Sequence, residues 1–212
     1  AGPAFEAASI KCGVRAAAGA IETVKVVDGK LEIGTIDDAP AIGICGSGLV
    51  DAVACLVQIG VLDASGKFNQ VDDPNLVERD GEKIYMLTED VFLSQRDVRE
   101  LQFAKAAIAT GWALLAEEFG IEDKDIQQVL LAGSFGSYLS PASAVKIGLV
   151  PKISVLRIVS AGNVAGEGAK MALLSTQERH GAMTLLDEIK YVELSDREDF
   201  NDKFVERLAF PV

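Results

Sequence analysis

The chain has 212 residues, is 49% hydrophobic, and carries 32 acidic against 20 basic residues for a net charge of −12. This length gives one domain with a real core or two small ones. The apolar content excludes a disordered chain, and the acidic surface repels phosphate backbones, which argues against nucleic acid as a partner. No apolar run reaches membrane length and no signal peptide is recognisable, which argues against a membrane. Cys12, Cys45 and Cys55 are odd in number, widely spaced and without a CxxC pair. That pattern points to free thiols in a reducing, cytoplasmic compartment rather than a zinc site or an iron–sulfur ligand set.

In chain order, Gly2 and Pro3 make a turn, and residues 4–12 read as a short helix that stops at Gly13. Residues 22–36 read as a hairpin in which VKVV and KLEIG flank Asp28-Gly29, a dipeptide suited to a type I′ turn. In ICGSGLVDAVACLVQIG, the residues Gly46, Ser47 and Gly48 open a helix that is apolar nearly all round and stops at Gly60. Its glycine-rich start with bare N–H groups suits an anion. Equally, Ser47 is a plain cap, with Asp51 complementing the dipole. Cys45 reads as a buried core thiol.

Residues 63–89 are polar and turn-rich, with Asp80-Gly81 as a second hairpin signal before the strand-like IYML. Ser94 and Asp97 form a capping-box pair that starts a long helix, and Gly120 ends it. Its apolar stripe runs Val98, Leu101, Ile108, Trp112, Leu115, Phe119, and Lys105 falls inside it. A lysine there has to snorkel or reach something negative.

VLLAGSFGSYLSPASAVKIG follows, at residues 129–148. Val129 to Ala132 suit a strand buried on both faces of a parallel sheet. Gly133 and Gly136 bracket Ser134 and Phe135, and Ser140 with Pro141 caps the next helix. Strand, glycine turn and helix bring backbone close to a ligand at a sheet's carboxyl edge, although a βα connection without a ligand has the same residues. Residues 153–159 read as a second buried strand, adjacent and parallel to the first. Gly162, Asn163, Gly166 and Gly168 thin the start of the helix after it. His180, before Gly181, reads as the end of a helix facing its dipole. YVELS reads as a strand, and residues 196–207 as a charged helix.

The 129–148 stretch resembles the adenosine motif of the ATPase superfamily that holds actin, Hsp70 and the sugar and acetate kinases (ASKHA). A more specific resemblance runs through AGPAFE with RAAAGAIE, ICGSGLVDAVA, RDVRELQFAKAAI, LLAGSFGSYL, SAGNVAGEGA and YVELS. Six motifs in this order resemble the C-terminal half of the reductive activators of corrinoid proteins, iron–sulfur ATPases that restore oxidised B12-type proteins. Ala7 and Val14 stand where that family suggests glycine and methionine.

The resemblance implies an α/β, ribonuclease H-like lobe over residues 1–212 as a single domain, with a surface excursion at about 63–93. It implies ATP with Mg²⁺, the adenosine lying against Gly133, Ser134, Phe135 and Gly136 with Gln102 and Lys105 overhanging. Gly2, Gly46, Ser47 and Gly48 complete the nucleotide-side set. The Asp-Gly-Thr loops that hold phosphates and Mg²⁺ do not occur in this sequence, and the family places the second of them just before AGPAFE. The expectation is therefore a piece of a longer chain, inactive by itself, with a [2Fe-2S] cluster elsewhere in the protein. The partners implied are a corrinoid protein and, at an unpaired sheet edge, an upstream segment or a second copy. In a related activator family a cysteine placed like Cys45 ligates a cluster shared across a dimer. The glycine-thinned helix resembles the superfamily's second connecting motif, a hinge between lobes; close packing without a hinge is the alternative. The competing reading of the whole is a non-catalytic actin-like domain for dimerisation or partner binding. A sugar-kinase relative is a third, with no sugar-binding carboxylate to support it.

Overall fold

A computed structural model describes residues 9–211, so Gly2 and most of the expected 4–12 helix lie outside the described residues. Strand β1 (Ala20–Val27) turns back into β2 (Lys30–Thr35) as an antiparallel hairpin. Asp28 and Gly29 take φ of 49° and 76°, the left-handed pair that a type I′ turn requires. The short β3 (Gly43–Ile44) adds in parallel beside Ala20 and Ile21.

Helix α1 (Gly46–Gln58) packs on β1 and carries the densest part of the core, with Leu49, Val50, Ala52, Val53 and Leu56 fully buried. A helix buried on this many sides has to be central. Its N-cap is Cys45 rather than Ser47, and Asp51 falls in the second turn. The dipole argument for Asp51 therefore does not hold.

The 63–93 stretch builds its own antiparallel sheet of β4 (Leu76–Arg79), β5 (Glu82–Met86) and β6 (Phe92–Ser94). Tyr85 and Leu93 from this sheet reach into the main core. Ser94 then caps α2 (Gln95–Glu118): its hydroxyl accepts from the Asp97 N–H, and the Asp97 carboxylate accepts from the Ser94 N–H at 2.8 Å. The buried side of α2 is Val98, Leu101, Gln102, Lys105, Ala106, Ala109, Thr110, Ala113 and Leu114. Ile108, Leu115 and Phe119, assigned to the buried stripe by hydrophobicity, are exposed. Ala106, Ala109 and Ala113 let the inner face approach closely there, and Ile108, Leu115 and Phe119 lie outside.

β7 (Val129–Ala132) and β8 (Ile158–Gly162) form a separate two-stranded parallel ladder. The parallel pairing agrees with the sequence reading. The second strand begins later than read, because Ser154 caps a short 3-10 turn at Val155–Arg157. Nor is β7 buried on both faces: Val129 and Leu131 pack against the core, whereas Leu130 is 59% exposed and Val159 40%. Parallel strands bury both faces only where neighbours cover both, and within the described residues only one side is covered.

Two short helices follow β7: α3 (Gly133–Tyr138) and α4 (Pro141–Lys146), the latter capped by Ser140 with Pro141 in its first turn. After β8 come α5 (Val164–Leu174), α6 (Thr176–Thr184) and α7 (Phe200–Glu206). His180 lies inside α6, which runs on through Gly181, so no helix end is there to face. YVELS is not a strand; it is irregular and leads into a 3-10 turn at Leu194–Asp196. No helix among the described residues is long and apolar enough to cross a membrane.

Candidate functional site

The carboxyl ends of β7 and β8 lie side by side, with Ala132 opposite Gly162. A glycine with φ in the left-handed region stands at each end, 86° at Gly133 just after β7 and 66° at Gly162, the last residue of β8. Among the described residues, a Cβ on either glycine would meet no atom of the surrounding structure within 4 Å. Positive φ explains why glycine stands there, and the open space leaves bare backbone at the edge where parallel sheets take ligands.

The chain enters α3 directly at Gly133, so Ser134, Phe135 and Gly136 are helical rather than a free loop. Ser137 Oγ donates to the Gly133 carbonyl at 3.0 Å and steadies the turn. Phe135 packs partly against the core. Gly136 has a structural duty: a Cβ there would sit 2.9 Å from the Leu131 carbonyl carbon, so its absence lets α3 fold back on β7. After the neighbouring strand, Asn163 caps α5 by accepting from the Gly166 N–H at 3.0 Å. Gly162 and Asn163 therefore form the second lip of the edge. The sequence reading placed them in a connecting helix; the signal for their role was a second strand–glycine–helix sequence beside the first.

The other predicted site residues are placed elsewhere. Gly46, Ser47 and Gly48 are buried beneath β1. A Cβ on Gly48 would lie 2.8 Å from the Ile21 carbonyl carbon and closer still to its oxygen, so this glycine serves helix–strand contact. Gln102 and Lys105 are buried, and their polar atoms are taken up by other parts of the chain. Gln102 Nε2 donates to the carbonyls of Ser65 at 3.0 Å and Leu208 at 2.8 Å. Lys105 Nζ donates to the Ala209 carbonyl and lies 5.3 Å from the centre of the Phe210 ring. The lysine does not snorkel, and among the described residues no carboxylate pairs with it. Burial, together with the nearby Arg207, pulls its pKa down to about 8.

Asp51 is 5% exposed, with Oδ2 accepting from the Val24 N–H at 3.3 Å and, among the described residues, no hydrogen-bond partner for Oδ1. Burial raises its pKa, opposed by the nearby Ser143 hydroxyl, the Val24 N–H and Lys25. Cys45 is a buried thiol donating to the Ile21 carbonyl at 3.3 Å. Cys55 donates to the Val24 carbonyl at 3.4 Å, and burial lifts its pKa to about 11, so it is held as a thiol. Among the described residues no group of three or more His, Cys, Asp or Glu side chains converges as metal ligands would.

Comparison with known proteins agrees with this architecture. A family model described as the C-terminal domain of RACo, the ASKHA domain, matches residues 1–212. Corrinoid activation enzyme RamQ of Eubacterium limosum is 34% identical over 99% of this chain and 38% of its own length. The [Co(II) methylated amine-specific corrinoid protein] reductase of Methanosarcina barkeri is 26% identical over 99% of this chain and 41% of its own. A solved structure titled reductive activator for corrinoid, iron–sulfur protein superposes with a TM-score of 0.89 at 35% identity, covering all of this chain and 35% of that one. The chain thus spans about two fifths or less of the relatives it matches. With a mixed α/β fold and a family match over its whole length, the chain belongs to the C-terminal ASKHA domain family of the corrinoid reductive activator RACo.

Proposed function

We propose that this chain supplies the adenosine-side wall of an ATP site in a protein that returns an oxidised Co(II) corrinoid protein to Co(I). The observation that carries the reading is the open edge at Gly133 and Gly162, where two strands end in bare, positive-φ backbone. Gly133, Ser134 and Phe135 would hold the nucleoside, and Gly162 with Asn163 would form the facing lip. Gln102 and Lys105 would act on this wall only through the position of α2, since their polar atoms are engaged by the 208–210 segment. The phosphate loops and Mg²⁺ belong to sequence not contained in this chain, and a [2Fe-2S] donor would likewise reside in another part of the protein. Residues 1–212 alone would then bind nucleotide weakly and not turn it over, because phosphoryl transfer needs the metal and the phosphate-cradling groups.

Physically, Co(II) to Co(I) reduction is uphill with ordinary cellular donors, so ATP binding and hydrolysis would drive a change in the activator–corrinoid protein complex. Helix α5 suits a moving joint, since none of its residues is buried among the described residues although most are apolar or small. The open β7–β8 ladder would be completed by an upstream segment or a second copy. The reducing, cytoplasmic setting is proposed from the free thiols.

The test is nucleotide affinity in the whole protein by calorimetry. Gly133→Glu should abolish ATP binding, by bulk and like charge at the cradle. Gly133→Ala controls for backbone strain, which costs roughly 1–2 kcal/mol outside the right-handed region. If Gly133→Glu binds ATP as the parent does, the nucleoside lies elsewhere, and the non-catalytic reading of the domain gains.

A further inference from the structure

Residues 208–211 leave α7 and lie in a slot between α2, the turn at 64–66 and the glycine turn after α4. The slot reads them through the main chain. Gln102 donates to the Leu208 carbonyl at 2.8 Å, Lys105 donates to the Ala209 carbonyl, and the Phe210 N–H donates to the Ala64 carbonyl at 2.7 Å. The Phe210 ring is 2% exposed and sits by the Lys105 ammonium. Pro211 covers Gly148, where a Cβ would stand 3.0 Å from the proline ring.

The slot is built for this purpose from its own side as well. Gln102 is pinned by Arg99, which donates to its Oε1 at 2.7 Å, and Gly66 leaves the room its amide needs. Lys105 is 1% exposed, and among the described residues no carboxylate pairs with it. A buried ammonium without a counter-ion is costly, and among the described residues a carbonyl and an aromatic face are what offset that cost. Both arrive on the same short segment. The remainder of the attachment is weak: α7 buries no residue, and it rests on α2 through exposed ion pairs such as Lys203 with Glu117 and through Phe103 against Phe204 at 5.9 Å. Exposed pairs of this kind contribute little.

We propose that this slot is a peptide-binding site for a short segment of Leu-Ala-Phe-Pro type, occupied here in cis by residues 208–211. Two carbonyls and one N–H of three consecutive residues are read together with one aromatic side chain, which is how a protein recognises a peptide rather than a lone side chain. A segment held in cis gains from its high local concentration, so the same sequence supplied in trans binds only once the cis copy is gone. The seated segment is then a detachable latch that holds α7 and the stretch before it on α2.

The experiment uses the whole protein, with and without residues 208–212, and a fluorescent peptide of sequence LAFPV. Anisotropy should show saturable binding to the shortened protein, lost with Lys105→Met and with alanine for phenylalanine in the peptide. The parent should bind roughly tenfold more weakly or less. Equal binding to both proteins, or none to a shortened protein that keeps its native circular dichroism, overturns the proposal. Should the shortened protein fail to fold, Phe210→Ala in the complete chain decides by hydrogen exchange. Amides of α7 should then lose protection by roughly tenfold or more while the β1–β2 hairpin keeps its own. Unchanged α7 protection overturns the proposal.

Discussion

Replacing Gly48 by alanine tests whether the glycine-rich start of α1 is a packing device. The added Cβ would lie 2.8 Å from the carbonyl carbon of Ile21 and 3.2 Å from Cγ1 of Ile44. The first neighbour is backbone of β1, in a strand whose Ala20 and Ile21 are fully buried, so it cannot rotate away. Helix α1 has to lift off, and with it Leu49, Val53 and Leu56, all fully buried. Overpacking costs roughly 1–3 kcal/mol, and a backbone neighbour puts this site at the upper end. Alanine returns up to about 1 kcal/mol in helix propensity, leaving a net loss of about 2 kcal/mol. For a chain of this size that is a Tm lower by roughly 4–8 °C. Gly168→Ala in α5 is the control: among the described residues a Cβ there meets nothing within 4 Å, so only the propensity gain remains and Tm should rise. Thermal unfolding followed by circular dichroism reads both. A Gly48→Ala chain as stable as the parent would show that α1 does not rest on β1 as described.

Two further predictions concern pH. The Lys105 pKa is lowered from 10.5 to about 8 by burial. Between those values the unfolded chain binds the extra proton, so stability should rise with pH across that window, by about 3 kcal/mol at most; denaturant midpoints should show the rise, and Lys105→Met should remove it. The Asp51 pKa is raised from 3.8. Here the folded state holds the proton, so its contribution is lost as pH climbs above that value. Asp51→Asn, which keeps an acceptor for the Val24 N–H, should flatten this dependence and be at least as stable as the parent at neutral pH by urea titration.

What the sequence reveals is mostly local. The Asp28-Gly29 turn, the Ser94–Asp97 box and the Ser140-Pro141 start each involve residues a few positions apart, and all three are found as read. The parallel pairing of β7 with β8 follows from two strand–glycine–helix units in succession. Failures arise where distant residues decide. Lys105 finds its partners at Ala209 and Phe210, about a hundred positions away, and nothing near it in sequence announces them. The inner face of α2 is lined by Ala106, Ala109 and Ala113, so ranking residues by size picked Ile108, Leu115 and Phe119 on the wrong side. Gly46 to Gly48 look alike whether they cradle an anion or let a strand approach; only the position of Ile21 separates the two. Of the site, the Gly133 turn was legible and the Gly162 lip beside it was not, because the pairing that brings them together is tertiary.

The central claim is that an ATP site walled by Gly133 and Gly162 drives corrinoid reduction. Its most direct test is ATP-dependent conversion of a Co(II) corrinoid protein to Co(I), followed by visible absorption, with the whole protein and an iron–sulfur-level electron donor. The account predicts Co(I) formation that requires ATP and is lost in Gly133→Glu while Gly133→Ala retains part of it. Co(I) formation that proceeds equally in Gly133→Glu, or without ATP, would contradict it.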